Sequence, residues 1–266
     1  LGTLSTGTIA GTLMGPLLGG LIAEQFGMRN VFLLVGFFLF LVSVLTWWGI
    51  EEDYQQISKE EHISSWTLLA SIQHKDILLG LFLTSMTIQM IGQSISPILP
   101  LYVRELGQSN NIIFVSGLIV SAMGISSILT SGWMGKLGDR IGNHRLLLLA
   151  LLYSGILYIF CALAQTPFQL GLLRFLFGIG TGALMPGVTA LLNRMTPKEG
   201  ISRIFSYNQL FFYVGGVLGP VMGSSIAMHV NYHWVFYGTA ILAFIDLAFL
   251  LFIFRKYLKV REISAH

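Results

Sequence analysis

Long apolar segments separated by short polar connectors make up most of this 266-residue chain. A helix that crosses the hydrocarbon core of a bilayer needs about 20 consecutive, mostly apolar residues. Segments of this kind predict eight membrane-spanning helices, over residues 1–23, 31–50, 77–103, 112–134, 146–164, 168–191, 204–228 and 234–254. The pattern therefore predicts an all-α polytopic membrane protein with the lipid bilayer as its main partner.

Lysine and arginine are distributed unequally between the two alternating sets of connectors. The set formed by residues 51–76, 135–145, 193–203 and the C-terminal tail holds twelve of them, whereas the other set holds only Arg29 and Arg104. Short connectors rich in Lys and Arg remain on the cytoplasmic side of the membrane. We therefore expect the first and the last residue of the chain to be cytoplasmic.

The connector 51–76 is the longest in the chain. It contains six acidic residues and two lysines, and Trp66, Leu69 and Ile72 follow one another at helical spacing. This composition fits an amphipathic helix on the membrane surface, and it fits a solvated linker equally well.

An internal repeat connects the beginning and the end of the chain. The segment GTLMGPLLGG at residues 11–20 resembles GGVLGPVMGS at residues 215–224, and the same shift of 204 positions carries Val31 onto Val235 and Phe32 onto Phe236. One constant shift through two helices and their connector indicates two homologous halves. The first two predicted helices then correspond to the last two.

The repeat predicts how the chain is divided into domains. Residues 1–50 are the last two helices of a first six-helix bundle, 51–76 a cytoplasmic central loop, 77–254 a second six-helix bundle and 255–266 a cytoplasmic tail. The four helices between the repeats have no counterpart in this chain, and the chain does not begin with Met. We therefore expect a complete protein of twelve helices, of which these are helices five to twelve.

Composition supports a membrane protein and excludes several other classes. Hydrophobic residues make up 54% of the chain and charged residues 10%, whereas a soluble domain carries about 25% charged residues. The net charge of +3 includes no basic run suited to nucleic acid, and one cysteine cannot form a disulfide or a cysteine-based metal site. Because no local catalytic motif is present, we expect no enzymatic activity and no metal.

The glycine–proline segment of the first predicted helix is the sharpest local signal. Gly11, Gly15 and Gly19 lie four residues apart on one helical face, and Pro16 and Gly20 lie among them. Small residues let two helices approach closely in lipid, and a proline bends a helix because it lacks an N–H group. The segment therefore predicts a packing and hinge face, repeated in the second half by Gly215, Gly219, Pro220 and Gly223.

The segment GKLGDRIGNHR, residues 135–145, is predicted to be a connector between two cytoplasmic helix ends. Asp139 could face a helix N-terminus, where the helix dipole favours an anion by about 0.3–1 kcal/mol. An ordinary positive turn is the alternative interpretation. The ordered glycines and charges favour a gating role; they are Gly135, Gly138, Asp139, Arg140, Gly142 and Arg145.

Polar residues inside the predicted helices are candidates for a transport cavity. An arginine at the centre of a membrane helix costs about 2.5–3.5 kcal/mol on insertion scales, so Arg174 should face the protein interior or extend to the interface. Asp246 could carry a proton, pair with a buried cation or reach the interface. Further candidates for the cavity, or for hydrogen bonds between helices, are Gln89, Gln93, Asn208 and Gln209.

Three of these motifs together resemble the drug:proton antiporter branch of the major facilitator superfamily. GTLMGPLLGG resembles the antiporter motif of helix five, GKLGDRIGNHR the loop motif between helices eight and nine, and Arg174 with its following glycines the second-half copy of the helix-four arginine motif. Asn143 and His144 stand where the loop motif usually has basic residues. Within the branch, the resemblance is to bacterial multidrug-resistance exporters.

The resemblance implies a twelve-helix exporter in the inner membrane of a bacterium, acting as a monomer. It also implies export of small amphipathic drugs, such as fosfomycin and deoxycholate, by proton antiport, with no cofactor other than the proton gradient. The branch usually keeps its main proton-titrating acid in the first half. A metabolite or sugar importer of the same fold, or a membrane sensor that transports nothing, remains the alternative.

Overall fold

The computed structural model describes residues 2–49, 75–197 and 200–263, and these form nine α-helices without a strand among them. The predicted amphipathic helix or linker at 51–76 lies almost wholly outside the described residues. The helices are α1 (Gly2–Phe26), α2 (Met28–Gly49), α3 (Lys75–Gln93), α4 (Leu99–Glu105), α5 (Ile112–Ile141), α6 (Asn143–Ala162), α7 (Pro167–Met195), α8 (Ile201–His229) and α9 (Tyr232–Ile263).

Seven of the described helices are long and apolar enough to cross a membrane: α2, α3 and α5 to α9. Helix α1 has the length of a spanning helix, with 25 residues, but it is outside this set. Its many glycine, serine and threonine residues lower the mean hydropathy of the helix. Helix α4 has seven residues and is too short to span.

The predicted third span, residues 77–103, is wrong in its extent, because the structure divides it into α3 and α4. Helix α3 ends at Gln93, and a turn leads to α4 at Leu99. Pro97 explains the break: it has no N–H, and its ring would clash with the carbonyl of Gln93 one turn earlier. Pro100 then lies in the first turn of α4, where a proline is tolerated.

Helices α3 and α5 to α9 pack into one bundle, with close pairs formed by α5 and α7, α3 and α8, and α6 and α9. Helix α1 packs on α5, and α2 packs on α1. No residue of α2 is buried, and the side chains of Trp47 and Trp48 are 86% and 87% exposed. An apolar helix exposed on all sides is suited to hydrocarbon rather than water.

Two apolar clusters lie at opposite ends of the six-helix bundle. One contains Leu81, Leu147 and Leu250, and the other contains Tyr158 and Phe236. Between them lies a layer of buried polar side chains, formed by Thr84, Ser85, Ser154 and Asp246. Ser154 and Asp246 fall between the two clusters along α6 and α9. Thr84 and Ser85 lie one turn before Ile88, the last residue that α3 contributes to the first cluster, and Thr84 reaches the layer through its hydrogen bond with Asp246.

The helix boundaries preserve the internal repeat. Helix α2 begins at Met28 and α9 begins at Tyr232, 204 positions later. The predicted tail, 255–266, continues α9 as a helix as far as Ile263. Residues 255–263 include neither glycine nor proline, the two residues least favourable inside a helix.

Candidate functional site

The glycines of the second-half motif form a backbone-to-backbone contact between α8 and α3. Gly215, Gly219 and Gly223 are buried. A Cβ atom added to Gly219 would lie 2.8 Å from the carbonyl oxygen of Met90, and one added to Gly215 or Gly223 would be nearer still to the carbonyls of Met86 and Ser94. The four-residue spacing therefore continues on both helices, and only glycine fits along this seam. Pro220 is partly buried inside α8, which continues through it.

The first-half motif has the same pattern but a different environment. A Cβ atom added to Gly11, Gly15 or Gly19 would have no described atom within 4 Å. The contact with α5 is instead made by the neighbouring positions: the carbonyl of Pro16 lies against Gly117, and a Cβ atom on Gly20 would lie 3.2 Å from Ile113 O and Phe114 Cα. The face predicted from the glycine spacing is thus open in this structure.

The predicted connector at 135–145 is mostly helical. Helix α5 continues to Ile141, and Gly142 alone, with φ of +95°, separates it from α6. A positive φ is strained for most residues and easily adopted by glycine. Gly138 is buried against the side chain of Asn143, so this motif residue sets the close crossing of α5 and α6. Gly135 is partly buried at the end of α5.

Asp139 forms an exposed ion pair with Arg194 at the end of α7. Their charged atoms are 3.7 Å apart, and their side chains are 73% and 61% exposed. An exposed pair of this kind contributes about 0.2–1 kcal/mol, so its effect on stability is small. Arg140 and Arg145 are also exposed. The ion pair of Asp139 with Arg194 links the ends of α5 and α7 and can break without a large free-energy cost.

Arg174 faces the interior of the bundle and does not extend to its surface. Its side chain is buried, and its Nη1 atom donates a hydrogen bond to the hydroxyl of Tyr158 at 3.2 Å. That hydroxyl in turn donates to the carbonyl of Ile91 at 2.6 Å. The guanidinium lies 5.8 Å from the ring of Tyr158 and 5.9 Å from that of Phe177, a distance at which aromatic rings attract a cation. Arg174 thereby connects α3, α6 and α7.

Asp246 and Asn208 cross to adjacent residues of α3. The hydroxyl of Thr84 donates to Oδ1 of Asp246 at 3.0 Å, and the hydroxyl of Ser85 donates to Oδ1 of Asn208 at 2.7 Å. Both pairs are buried. They attach α9 and α8 to one turn of α3, at the height of the polar layer.

The remaining polar candidates are less enclosed. Gln89 and Gln93 are partly buried on α3, where Gln93 accepts a hydrogen bond from Ser96 at 2.9 Å, and Gln209 is exposed. The structure thus brings Asn208 and Asp246 together around α3 and leaves Gln209 outside. Sequence reasoning missed Thr84, Ser85 and Tyr158, although two adjacent hydroxyl residues inside an apolar segment are a signal that could have identified the first two.

Comparisons with known proteins agree with this architecture. The family model described as Major Facilitator Superfamily matches residues 1–116 and 77–265. Over 99% of its length the chain is 59% identical to "Multi-drug resistance efflux pump PmrA" of Streptococcus pneumoniae serotype 4 and 48% identical to a PmrA homolog of Lactococcus lactis. Over 90% of its length it is 46% identical to "Multidrug resistance protein MdtG" of Salmonella arizonae.

The chain spans 66%, 65% and 60% of the lengths of these three relatives. The seven long apolar helices among the described residues, together with its relatives, make it a multi-pass membrane protein. The sequence resemblance is therefore confirmed at the level of the family and its fold. This chain belongs to the Major Facilitator Superfamily.

Proposed function

We propose that this chain supplies helices five to twelve of a multidrug exporter that moves small amphipathic compounds across a bacterial inner membrane in exchange for protons. The names of its relatives support drug export. The distribution of Lys and Arg supports cytoplasmic ends for the described set of helices. Fosfomycin and deoxycholate are proposed substrates, and a monomer is the proposed working form.

The observation that carries this proposal is the contact of α1 with α5. By the repeat, α1 belongs to the first half and α5 to the second, so their meeting point lies between the two bundles. There the carbonyl of Pro16 lies directly against Gly117, with no side chain between them. In alternating access, two bundles rock against each other around a site between them. Because no side chains interlock at this contact, the two bundles can meet there in one orientation of the transporter and separate in the other.

Export can be tested on a twelve-helix fusion, in which the first four helices of the pneumococcal relative precede Leu1. We expect the fusion to lower the accumulation of a fluorescent amphipathic dye in bacteria that lack their own efflux pumps. A protonophore should abolish this effect, because it removes the proton gradient. Unchanged accumulation at confirmed membrane abundance would contradict drug export, and increased accumulation would favour an importer.

The ion pair at the ends of α5 and α7 allows a separate test of gating. We expect Asp139→Ala in the fusion to reduce dye export while the melting temperature changes little, because an exposed pair contributes at most about 1 kcal/mol. Glu24→Gln removes another exposed carboxylate from α1 and serves as the matched control. Export by Asp139→Ala equal to that of the control would show that this pair has no gating role.

A further inference from the structure

The carboxyl group of Asp246 is enclosed in the middle of the six-helix bundle. Its side chain is 4% exposed, and it lies in the polar layer between the two apolar clusters. One oxygen, Oδ1, accepts the hydrogen bond from Thr84. The other, Oδ2, is buried without a hydrogen-bond partner. One of the two oxygen atoms of this carboxyl group therefore has no hydrogen-bond partner in this structure.

Among the described residues, Asp246 forms no ion pair. Helix α9 packs against α3, α6 and α8. Arg194 pairs with Asp139 and His233 pairs with Glu105, so neither of these two cationic side chains is paired with Asp246. Ionisable or charged residues on the four helices, other than Asp246 and the positions beyond residue 255, are Lys75 and Asp76; His144, Arg145, Tyr153, Tyr158 and Cys161; Arg203, Tyr207, Tyr213 and His229; and Tyr232, His233, Tyr237 and Arg255.

Several of these groups lie elsewhere along their helices or make other contacts. Lys75 and Asp76 are at the first turn of α3, at least eight residues before Thr84, which is about 12 Å along a helix. The hydroxyls of Tyr153 and Tyr158 donate to the carbonyls of Leu176 and Ile91. His233 is paired with Glu105. An ionised carboxylate buried without a cation is costly, whereas a neutral carboxylic acid is much less so.

The hydrogen bond from Thr84 connects this acid to the part of α3 that holds α8. Ser85, the next residue, donates to Asn208 of α8, and the carbonyl of Met86 lies under Gly215. Three consecutive residues of α3 thus attach to both α8 and α9. A change of charge on Asp246 would act directly on the attachment through Thr84, which lies one residue before the first attachment to α8.

We propose that Asp246 is a proton-binding site of the second half, which holds a proton when the bundle is closed around it and releases it when water reaches Oδ2. The step is a proton exchange only: hydronium on one side of the membrane protonates the carboxylate, and water on the other side accepts the proton. This inference rests on the proposed proton antiport. It adds an acid in the second half to whatever acids the first half contains.

The first test uses this chain alone, reconstituted in lipid. Exposed aspartate and glutamate side chains are ionised at neutral pH, so a protonated carboxyl group should be visible by infrared spectroscopy against a low background. We expect its carbonyl band to be present in the unmodified chain, absent in Asp246→Asn and retained in the control Glu24→Gln. A band retained by Asp246→Asn, or absent from the unmodified chain, would overturn the proposal.

The second test asks whether this proton takes part in transport. In the twelve-helix fusion, we expect Asp246→Asn to bind dye but to lose the stimulation of export by a proton gradient, and Asp246→Glu to retain part of it. Asparagine keeps an oxygen that can accept from Thr84, so a purely structural role predicts normal stimulation. If Asp246→Asn is misfolded, the pH dependence of the infrared carbonyl band is measured on Asp246→Glu instead. A carbonyl band that does not change with pH in that variant would overturn the proposal.

The outcomes separate this inference from the proposed function. If the fusion exports dye with the same proton dependence in Asp246→Asn, the inference fails and proton-coupled export stands. If the unmodified fusion exports nothing but the infrared band depends on Asp246, the proposed export fails and the proton-binding carboxyl stands.

Discussion

Helices α1 and α8 carry the same glycine–proline pattern, but only one of them is packed along it. On α8 the pattern lies against the backbone of α3, whereas a Cβ atom on Gly11, Gly15 or Gly19 of α1 would meet nothing within 4 Å among the described residues. The following helices differ in the same way, since Phe236 is fully buried and its counterpart Phe32 is 72% exposed. The glycine spacing therefore determines which helix face lacks side chains, and the neighbouring helices determine whether another helix packs against that face.

The repeat identifies what would fill the open face. Helix α3 is the partner of α8, so its counterpart in the first half would be the partner of α1. Such a helix would place carbonyl groups against Gly11, Gly15 and Gly19, as Met86, Met90 and Ser94 do against the second-half glycines. The comparison can be tested by placing the same substitution in both faces.

The largest effect is expected from Gly223→Leu. A Cβ atom at this position would already overlap the carbonyl of Ser94, and backbone cannot move aside as a flexible side chain can. Overpacking costs about 1–3 kcal/mol, occasionally more, and this contact should fall at the upper end. Thermal unfolding of the chain purified in detergent measures the effect. An unchanged melting temperature would mean that α3 and α8 are not in backbone contact.

A smaller effect is expected from Gly117→Val at the contact of α1 with α5. The added side chain meets the carbonyl of Pro16, but α1 and α2 can move away because little else holds them. We expect α1 to separate from α5 while the six-helix bundle keeps its stability to within about 0.5 kcal/mol.

Disulfide formation can report this separation. In a Cys161→Ala background, Gly20→Cys and Phe114→Cys should form a disulfide, because a Cβ atom on Gly20 lies 3.2 Å from Cα of Phe114. Gly117→Val should lower the yield. Gly132→Val, on the same helix with nothing within 4 Å of its Cβ position, should leave it unchanged. Equal yields in the two variants would contradict the contact.

The sequence predicted the helices well because length and hydropathy depend on each segment alone. It could not predict the pairs Thr84–Asp246 and Ser85–Asn208, because these depend on which helices are neighbours. The sequence prediction does not divide the third span because Ile95, Ile98 and Leu99 keep it apolar across the break at Pro97. The charges and glycines of the loop motif predict a connector over 135–145, whereas only Gly142 departs from a helix in the structure.

The smallest effect in this chain is expected from Gly19→Leu. The added side chain enters open space, and substitutions that meet nothing usually change the free energy of unfolding by less than about 0.5 kcal/mol. The melting temperature of the chain should therefore remain close to that of the unmodified protein. A loss as large as that of Gly223→Leu would show that the first glycine face is already occupied.

The most direct test of the account is Gly19→Leu in the twelve-helix fusion, compared with the same substitution in this chain. If the halves are equivalent and α1 packs as α8 does, the fusion should lose stability to a similar extent as it does with Gly223→Leu, whereas the chain alone should not. Equal and small changes of the melting temperature in the fusion and in the chain would contradict that equivalence.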